Sequence, residues 1–315
     1  NEIGLPKTLL QLTPRHQAAV IEMGMTHAGE IVHLARITRP QAAVITSIGV
    51  SHIENLGSRT NILRAKLEIT EGLSKGGALI LNVDNDLLQT VRSRDFTMIG
   101  YAIENEDAQV RAVSLSERDS GTAFTICWQG GEYPAWIPCR GEHNVLDALA
   151  AFAVGVQFGI TPQQAAKALS AYEPSGMRQN IVEHGGFTVV EDCYNASPDS
   201  MAAALRTLAS MECGAKRVAV LGDMLELGDF SWQAHCQIGE LAAESGVDLL
   251  LGYGPDSAAM VQAAQAAGCK AIHFEGKEEL FQELCRQLAP GDIVWVKASR
   301  GMKLEEIIER LYKER

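Results

Sequence analysis

The sequence predicts an α/β protein of two domains, each built on a mainly parallel sheet with helices packed against it. Three observations carry that expectation. Short apolar runs alternate with helical stretches along most of the chain, the pattern of consecutive β-α units. The runs are apolar throughout, as strands buried on both faces are. A chain of 315 residues with 46% hydrophobic content is long enough for two cores of ordinary size, whereas a single core would be unusually large.

The elements follow in order. Residues 6–12 read as a packed helix, and because the chain starts at Asn1, not methionine, it is expected to begin inside a domain. Residues 18–22, 42–46, 78–82 and 97–100 are the strands of the first domain. From 108 to 138 the segments shorten and break at Asp119-Ser120-Gly121 and Gln129-Gly130-Gly131, which predicts an antiparallel meander on the sheet edge. A helix over 144–158 follows. Thr161 opens another through a T-x-x-Q capping box with Gln164, with Pro162 at the first helical position. The turn signal Pro174-Ser175-Gly176 sets the boundary, giving domains of 1–176 and 177–315. The second domain then has strands at 186–191, 217–221, 247–251, 270–274 and 292–296, a complete doubly wound set.

Charge and cysteine content exclude several classes. A formal net charge of -12 argues against a nucleic-acid surface, which needs a basic face to release counterions. The seven cysteines are odd in number and scattered, with no C-x-x-C pair, so they read as reduced thiols. No apolar run approaches the roughly 20 residues of a membrane span, and the start carries no signal-peptide pattern. A cytoplasmic protein is expected.

The richest stretch for function is 191–201. It places Asp192, Tyr194 and Asn195 at the carboxyl end of a strand, and then opens a helix with Ser197 as N-cap and Pro198 behind it. Open α/β sheets bind ligands at that edge. In the first domain Glu22, His52 and Lys66 stand at strand ends or just beyond them. Glu22, followed by Met23-Gly24, is a carboxylate at a sharp turn and suits a hard cation such as Mg²⁺; imidazole from His52 suits a softer one. Read singly, each has an ordinary alternative: Glu22 as a cap acceptor, His52 as a hydrogen-bonded loop residue, Lys66 as a solvated helix face. His27, Glu30 and His33 read as surface residues. The junction at Gly141-Glu142-His143-Asn144 offers amides and a side chain to a base or phosphate, with an ordinary helix start as its alternative.

The segments are more specific in order than apart. Glu22-Met23-Gly24, Ile48-Gly49-x-x-His52, Arg64-Ala65-Lys66, Gly141-x-His143-Asn144-Val145, Gly176-Met177-Arg178, Asp192-x-Tyr194-Asn195-Ala196-x-Pro198-Asp199-Ser200, Leu221-Gly222-Asp223-Met224 and Ser299-Arg300-Gly301-Met302 together resemble the Mur ligases over essentially the whole chain. The resemblance implies a central P-loop-type ATPase domain, incomplete at its start, followed by a Rossmann-like domain. It also implies an ATP-dependent amide ligase of peptidoglycan precursor synthesis, with an acyl-phosphate intermediate, and UDP-N-acetylmuramoyl-tripeptide and D-alanyl-D-alanine as its substrates; a monomer is expected. By the same resemblance Glu22, His52 and Lys66 would be catalytic and hold Mg²⁺, with Lys66 as a carbamylated lysine. His143, Asn144, Arg178 and Asp192 would bind ATP, and Tyr194, Asn195, Ser299 and Arg300 the substrates.

One departure stands out. No G-x-x-x-x-G-K-[ST] occurs in the 315 residues, so the chain lacks the loop that would cradle the nucleotide phosphates and is expected not to turn over ATP by itself. Two alternatives stay open: a folylpolyglutamate synthase-like ligase, and a non-catalytic P-loop-less binding protein. A nicotinamide dehydrogenase is disfavoured because Gly252-Tyr253-Gly254 lacks the third glycine of the dinucleotide fingerprint.

Overall fold

The computed structural model describes residues 1–118, 121–173 and 176–315. Asp119, Ser120, Pro174 and Ser175 fall outside the described residues, and with them parts of the turn and the boundary expected there. The backbone separates into two compact units, Asn1–Tyr172 and Glu173–Arg315, each with its own six-stranded sheet.

In the first unit the elements run α1 (Gly4–Leu9), α2 (Glu30–Thr38), β1 (Ala42–Ile45), α3 (Ile53–Leu56), α4 (Arg59–Leu67), β2 (Ala78–Asn82), β3 (Thr97–Ala102), β4 (Val110–Arg118), β5 (Gly121–Trp128), β6 (Gly131–Ile137), α5 (Glu142–Gln157) and α6 (Pro162–Ala168). The sheet order is β1-β2-β3-β4-β5-β6. Pairing is parallel from β1 through β4 and antiparallel from β4 through β6, so the meander expected at the edge is present. Helix α5 turns Val145, Leu149 and Phe152 onto the sheet. Their spacing of four and three is one helical face, and full burial of each stabilises the unit by about 1.5–3 kcal/mol. The Thr161 capping box forms with Gln164 as expected.

The strand expected over 18–22 is not formed. That stretch is irregular, and Val20 is 94% exposed. An apolar run becomes a strand only where a neighbour completes its ladder, and none of the described strands pairs with it. Glu22 therefore sits on an unpaired, exposed stretch, not at a strand end. The first helix is also shorter than expected, ending at Leu9 with Leu10 and Leu12 exposed.

The second unit runs β7 (Asn180–His184), β8 (Phe187–Asp192), α7 (Pro198–Ser210), β9 (Arg217–Gly222), α8 (Ser231–Glu244), β10 (Leu249–Tyr253), α9 (Ser257–Ala266), β11 (Ala271–Phe274), α10 (Lys277–Gln287), β12 (Ile293–Lys297) and α11 (Glu305–Glu314). The order is β11-β10-β9-β12-β8-β7. The five expected strands are parallel neighbours. The sequence reading missed β7, an antiparallel edge strand joined to β8 through Gly185 and Gly186, both at positive φ. A two-residue Gly-Gly loop is the ordinary signal for such a hairpin, but the mixed polar and apolar residues of β7 gave no buried-strand pattern.

Helices α10 and α11 pack with Val189, Val218, Leu251 and Val296 on one face of this sheet, while α7, α8 and α9 cover the other. Helices α8 and α9 lie so close that a Cβ on Gly239 would overlap the Met260 carbonyl oxygen. Gly239→Ala is expected to lower stability by about 1–3 kcal/mol, the overpacking range, in urea or thermal unfolding; unchanged stability would show that the two helices part without penalty.

Candidate functional site

In the first unit the polar groups gather on the loop that leaves β1. Lys66 Nζ donates to the Ser47 carbonyl at 2.7 Å. Arg59 Nη2 and Asn85 Nδ2 donate to the Ile48 carbonyl at 2.7 and 3.2 Å. Arg59 and Lys66 are seven residues apart on α4 and so share a face, which lays that helix along the loop. Arg59 also forks onto Asp86 at 2.8 and 2.5 Å, and that guanidinium hydrogen bond holds the Asp86 carboxyl below its ordinary range. The loop ends at His52, a non-glycine residue in the left-handed region with φ of 62°, a conformation that stores about 1–3 kcal/mol and persists only where its surroundings impose it. Just beyond α4, Glu68 accepts from Gly29 N and Val32 N at 2.7 and 3.2 Å. Its carboxylate thus caps α2, where the helix dipole favours an anion, and ties the stretch after Glu22 to the helix that carries Lys66.

Among the described residues no group of three or more His, Cys, Asp or Glu is placed to hold a metal ion. Mg²⁺ is usually held by one or two carboxylates with substrate phosphates and waters, not by an all-protein cage, so this observation is compatible with the donor set Glu22 and His52. A carbamate on Lys66 would add a second anionic oxygen donor to that of Glu22. It would also keep one N–H on Nζ, enough to preserve the bond to Ser47.

At the start of α5, Gly141 has φ of 95°, and Asn144 Nδ2 donates to Arg140 O at 2.7 Å and lies 3.1 Å from His143 Nε2. His143 and Asn144 are thus brought together, and the Asn144 amide fixes the turn.

The second unit has a more buried centre. Strands β8 and β12 are adjacent, yet the helices that follow them, α7 and α11, leave to opposite faces of the sheet. Such a divergence opens a crevice at the carboxyl ends of the two strands. The register sets Asp192 against Lys297 there, and Lys297 Nζ donates to Asp192 Oδ2 at 2.8 Å, the side chains only 4% and 9% exposed. Trp295 Nε1 donates to the same oxygen at 3.3 Å, and Lys297 also reaches the Asn195 carbonyl at 3.0 Å. Burial pushes the Asp192 carboxyl up, while Lys297 opposes that shift.

The surrounding loops are held by side chains. Leu225 N donates to Ser299 Oγ at 2.9 Å, and Ser299 Oγ lies 3.5 Å from the Ala196 carbonyl, so this hydroxyl joins two loops. His235, fully buried, accepts from Met224 N on Nε2 at 3.0 Å and donates from Nδ1 to Ser231 O at 2.8 Å. Asp223 accepts from Ser257 N at 2.7 Å, and burial raises its carboxyl. Arg300 pairs with Glu305 at 3.0 Å and stays 57% exposed. The Arg178 guanidinium stacks over the Tyr194 ring, 4.3 Å from its centroid.

The structure therefore gathers Arg178, Asp192, Tyr194, Asn195 and Ser299 at one sheet edge, with Arg300 on the loop that follows Ser299. Sequence reading missed Lys297, Trp295, His235 and Arg59. Lys297 was discoverable, since it is the residue directly after the predicted strand 292–296; a buried histidine on a helix face carries no such signal.

Two mainly parallel sheets with charged side chains collected at their carboxyl edges place the chain among α/β proteins that bind ligands at a sheet edge. Residues 1–155 match the Mur ligase middle domain and residues 177–300 the Mur ligase glutamate ligase domain, and the chain belongs to the Mur ligase family. It is 43% identical to the UDP-N-acetylmuramoyl-tripeptide–D-alanyl-D-alanine ligase of Bacillus subtilis, covering 99% of this chain and 68% of the relative. The enzyme of the same name from Escherichia coli is 35% identical over 99% of this chain and 69% of its own length. Among solved structures, MurF from Acinetobacter baumannii superposes with a TM-score of 0.92 at 29% identity, covering all of this chain and 69% of that one. These relatives do not favour the folylpolyglutamate synthase-like or non-catalytic alternatives.

Removing Lys297 would leave the Asp192 carboxylate buried and uncompensated, which typically destabilises by about 3–5 kcal/mol. Lys297→Met is expected to fall in that range at neutral pH. Desolvation without its counter-charge holds the folded-state carboxyl of Asp192 above the ordinary 3.8. Protonation then favours the folded variant, so the deficit relative to wild type is largest above the variant's folded value and shrinks as pH falls through it. Urea unfolding at several pH values reads this, and a deficit that does not shrink in acid would show that Asp192 is not the stranded charge.

Proposed function

We propose that this protein is an ATP-dependent ligase that joins D-alanyl-D-alanine to UDP-N-acetylmuramoyl-tripeptide, completing a peptidoglycan precursor in the cytoplasm. The observation that supports it most is the 43% identity, over 99% of the chain, to the Bacillus subtilis enzyme of that activity. The ordered motifs at the two sheet edges agree with it. Among the described residues no helix is long and apolar enough to cross a membrane, which is compatible with the cytoplasmic reading.

The reaction requires a carboxylate to meet a triphosphate, and two anions must be brought together. In this reading the tripeptide carboxylate takes the γ-phosphoryl group from ATP, giving an acyl phosphate and ADP. The amine of the dipeptide attacks the acyl carbon, and the tetrahedral intermediate expels phosphate to leave the amide. Fixed cations and dipoles aimed at the developing charge are the main source of acceleration in such steps. Arg178 would hold the phosphates and Arg300 an anionic group of the substrates. His143 and Asn144 would contact the adenine, and Asn195 the acyl-phosphate region. Asp192, closed under Lys297 and Trp295, would act by fixing the edge on which these groups stand.

Glu22, His52 and a carbamylated Lys66 are proposed as the Mg²⁺ ligands. The metal, when bound, would neutralise phosphate charge.

The test uses the product of the complete reading frame. Phosphate release is expected only when ATP, the UDP-linked tripeptide and D-alanyl-D-alanine are all present; release with a folate and L-glutamate in their place would overturn the assignment. Lys66→Ala is expected to lower kcat by about 10²–10³-fold, the scale of losing one preorganised electrostatic group, with stability reduced by no more than about 1 kcal/mol for the lost bond to the Ser47 carbonyl. A ¹³C-carbamate resonance after incubation with ¹³C-bicarbonate should be present in the wild type and absent from Lys66→Ala. Wild-type turnover by the variant would remove the lysine from the chemistry.

A further inference from the structure

We propose that Tyr194 is a positioning residue, whose ring holds the Arg178 guanidinium ready for the ATP phosphates, and that it makes no contact with the incoming dipeptide. The proposal rests on the reading of Arg178 as a phosphate-binding residue. Three independent contacts lead to it. Tyr194 N donates to the Met177 carbonyl at 3.3 Å. The backbone N–H of Gln179 donates to the Asp192 carboxylate. The guanidinium lies 4.3 Å above the ring centroid, well inside the roughly 6 Å over which a cation is drawn to an aromatic face.

Taken together these contacts bracket one residue. Met177 before Arg178 and Gln179 after it are tied to Tyr194 and Asp192 at the end of β8. Gln179 takes a left-handed φ of 52°, which turns the chain sharply enough for both ties to form. Met177 also packs on the core beneath, so the backbone under Arg178 is anchored. The backbone alone does not aim a long arginine side chain; the ring does. A ring partner accepts no hydrogen bond from the guanidinium edge, so the N–H donors of Arg178 stay available for phosphate oxygens, the groups its fork binds best.

Charge bookkeeping explains why Arg178 stays available. Asp192, two residues from Tyr194, would otherwise be the natural partner for a guanidinium. Lys297 already neutralises it at 2.8 Å, so Arg178 is held by an uncharged ring, from which a more strongly charged phosphate can still draw its donors.

The contact uses the ring face and not the hydroxyl, which makes the variants discriminating. In steady-state kinetics on the product of the complete reading frame, Tyr194→Leu is expected to raise KM for ATP about two- to fivefold, the scale of one exposed cation–π contact, and to leave KM for D-alanyl-D-alanine unmoved. Tyr194→Phe should behave as wild type. In an Arg178→Ala background Tyr194→Leu should add nothing. A rise in KM for the dipeptide, a loss in Tyr194→Phe, or an additive loss in the Arg178→Ala background would each overturn the proposal, the last by placing the ring on the nucleotide itself. Arg178→Ala with unchanged KM for ATP would instead sink the phosphate reading of Arg178, and the role of Tyr194 with it, without touching the ligase assignment.

Discussion

The buried pair of Asp192 and Lys297 is the interaction around which the second unit's edge is arranged. Two charges taken out of water attract strongly but lose their hydration, and the exchange is favourable only when further hydrogen bonds complete the site. Here they do, through Trp295 on the carboxylate and the Asn195 carbonyl on the ammonium. The pair exists because β12 inserts between β8 and β9 and brings Lys297 into register with Asp192. A strand that enters late in the chain therefore completes a site begun more than a hundred residues earlier. The adjacent loop positions inherit their places from it, since Asn195 hangs on the lysine and Gln179 on the aspartate.

Both units solve the same problem in the same way. Beyond the end of a parallel strand the ladder stops, and backbone groups need other partners if the loop is to stay in one place. In the first unit Lys66, Arg59 and Asn85 supply them at Ser47 and Ile48. In the second, Ser299, His235 and Asp223 supply them at Leu225, Met224 and Ser257. These side chains come from helices or from neighbouring strand ends, so the rigidity of the sheet is passed to the loops. A site built this way is set before a ligand arrives, which is what electrostatic catalysis requires.

The sequence was most legible where a residue's state depends on its close neighbours. The buried strands, the Thr161 and Ser197 caps and the edge meander follow from local chemistry, and both capping boxes form. It was least legible where long-range partners decide. Residues 18–22 have the composition of a buried strand and yet are irregular, because pairing is a property of two segments. Strand β7 was missed for the converse reason: its own residues are undistinguished, and a partner makes it a strand. At the site, Asp192, Tyr194 and Asn195 could be placed on an edge from their position after a strand. Lys297 could be placed there in the same way, but its pairing with Asp192 and the contact of Arg178 with Tyr194 could not, since each depends on register or on a turn at a left-handed glutamine.

A residue-by-residue transfer of roles therefore needs correction by what each side chain is already doing. Ser299 is a hydroxyl with one proton and two lone pairs. It accepts from Leu225 and lies against the Ala196 carbonyl, which leaves it little with which to bind a substrate strongly. Arg300 is shared with Glu305 yet 57% exposed, so it keeps most of its donors. Asp192 is buried beneath Lys297 and Trp295, and a direct contact to a nucleotide would have to disturb that arrangement. Arg178 and Arg300 are exposed cations on this edge, beside the exposed ring of Tyr194, whereas Asp192 is enclosed and neutralised by Lys297. In a chain of net charge -12, enclosing Asp192 removes one negative charge from beside Arg178, so this guanidinium keeps its donors for an anionic substrate.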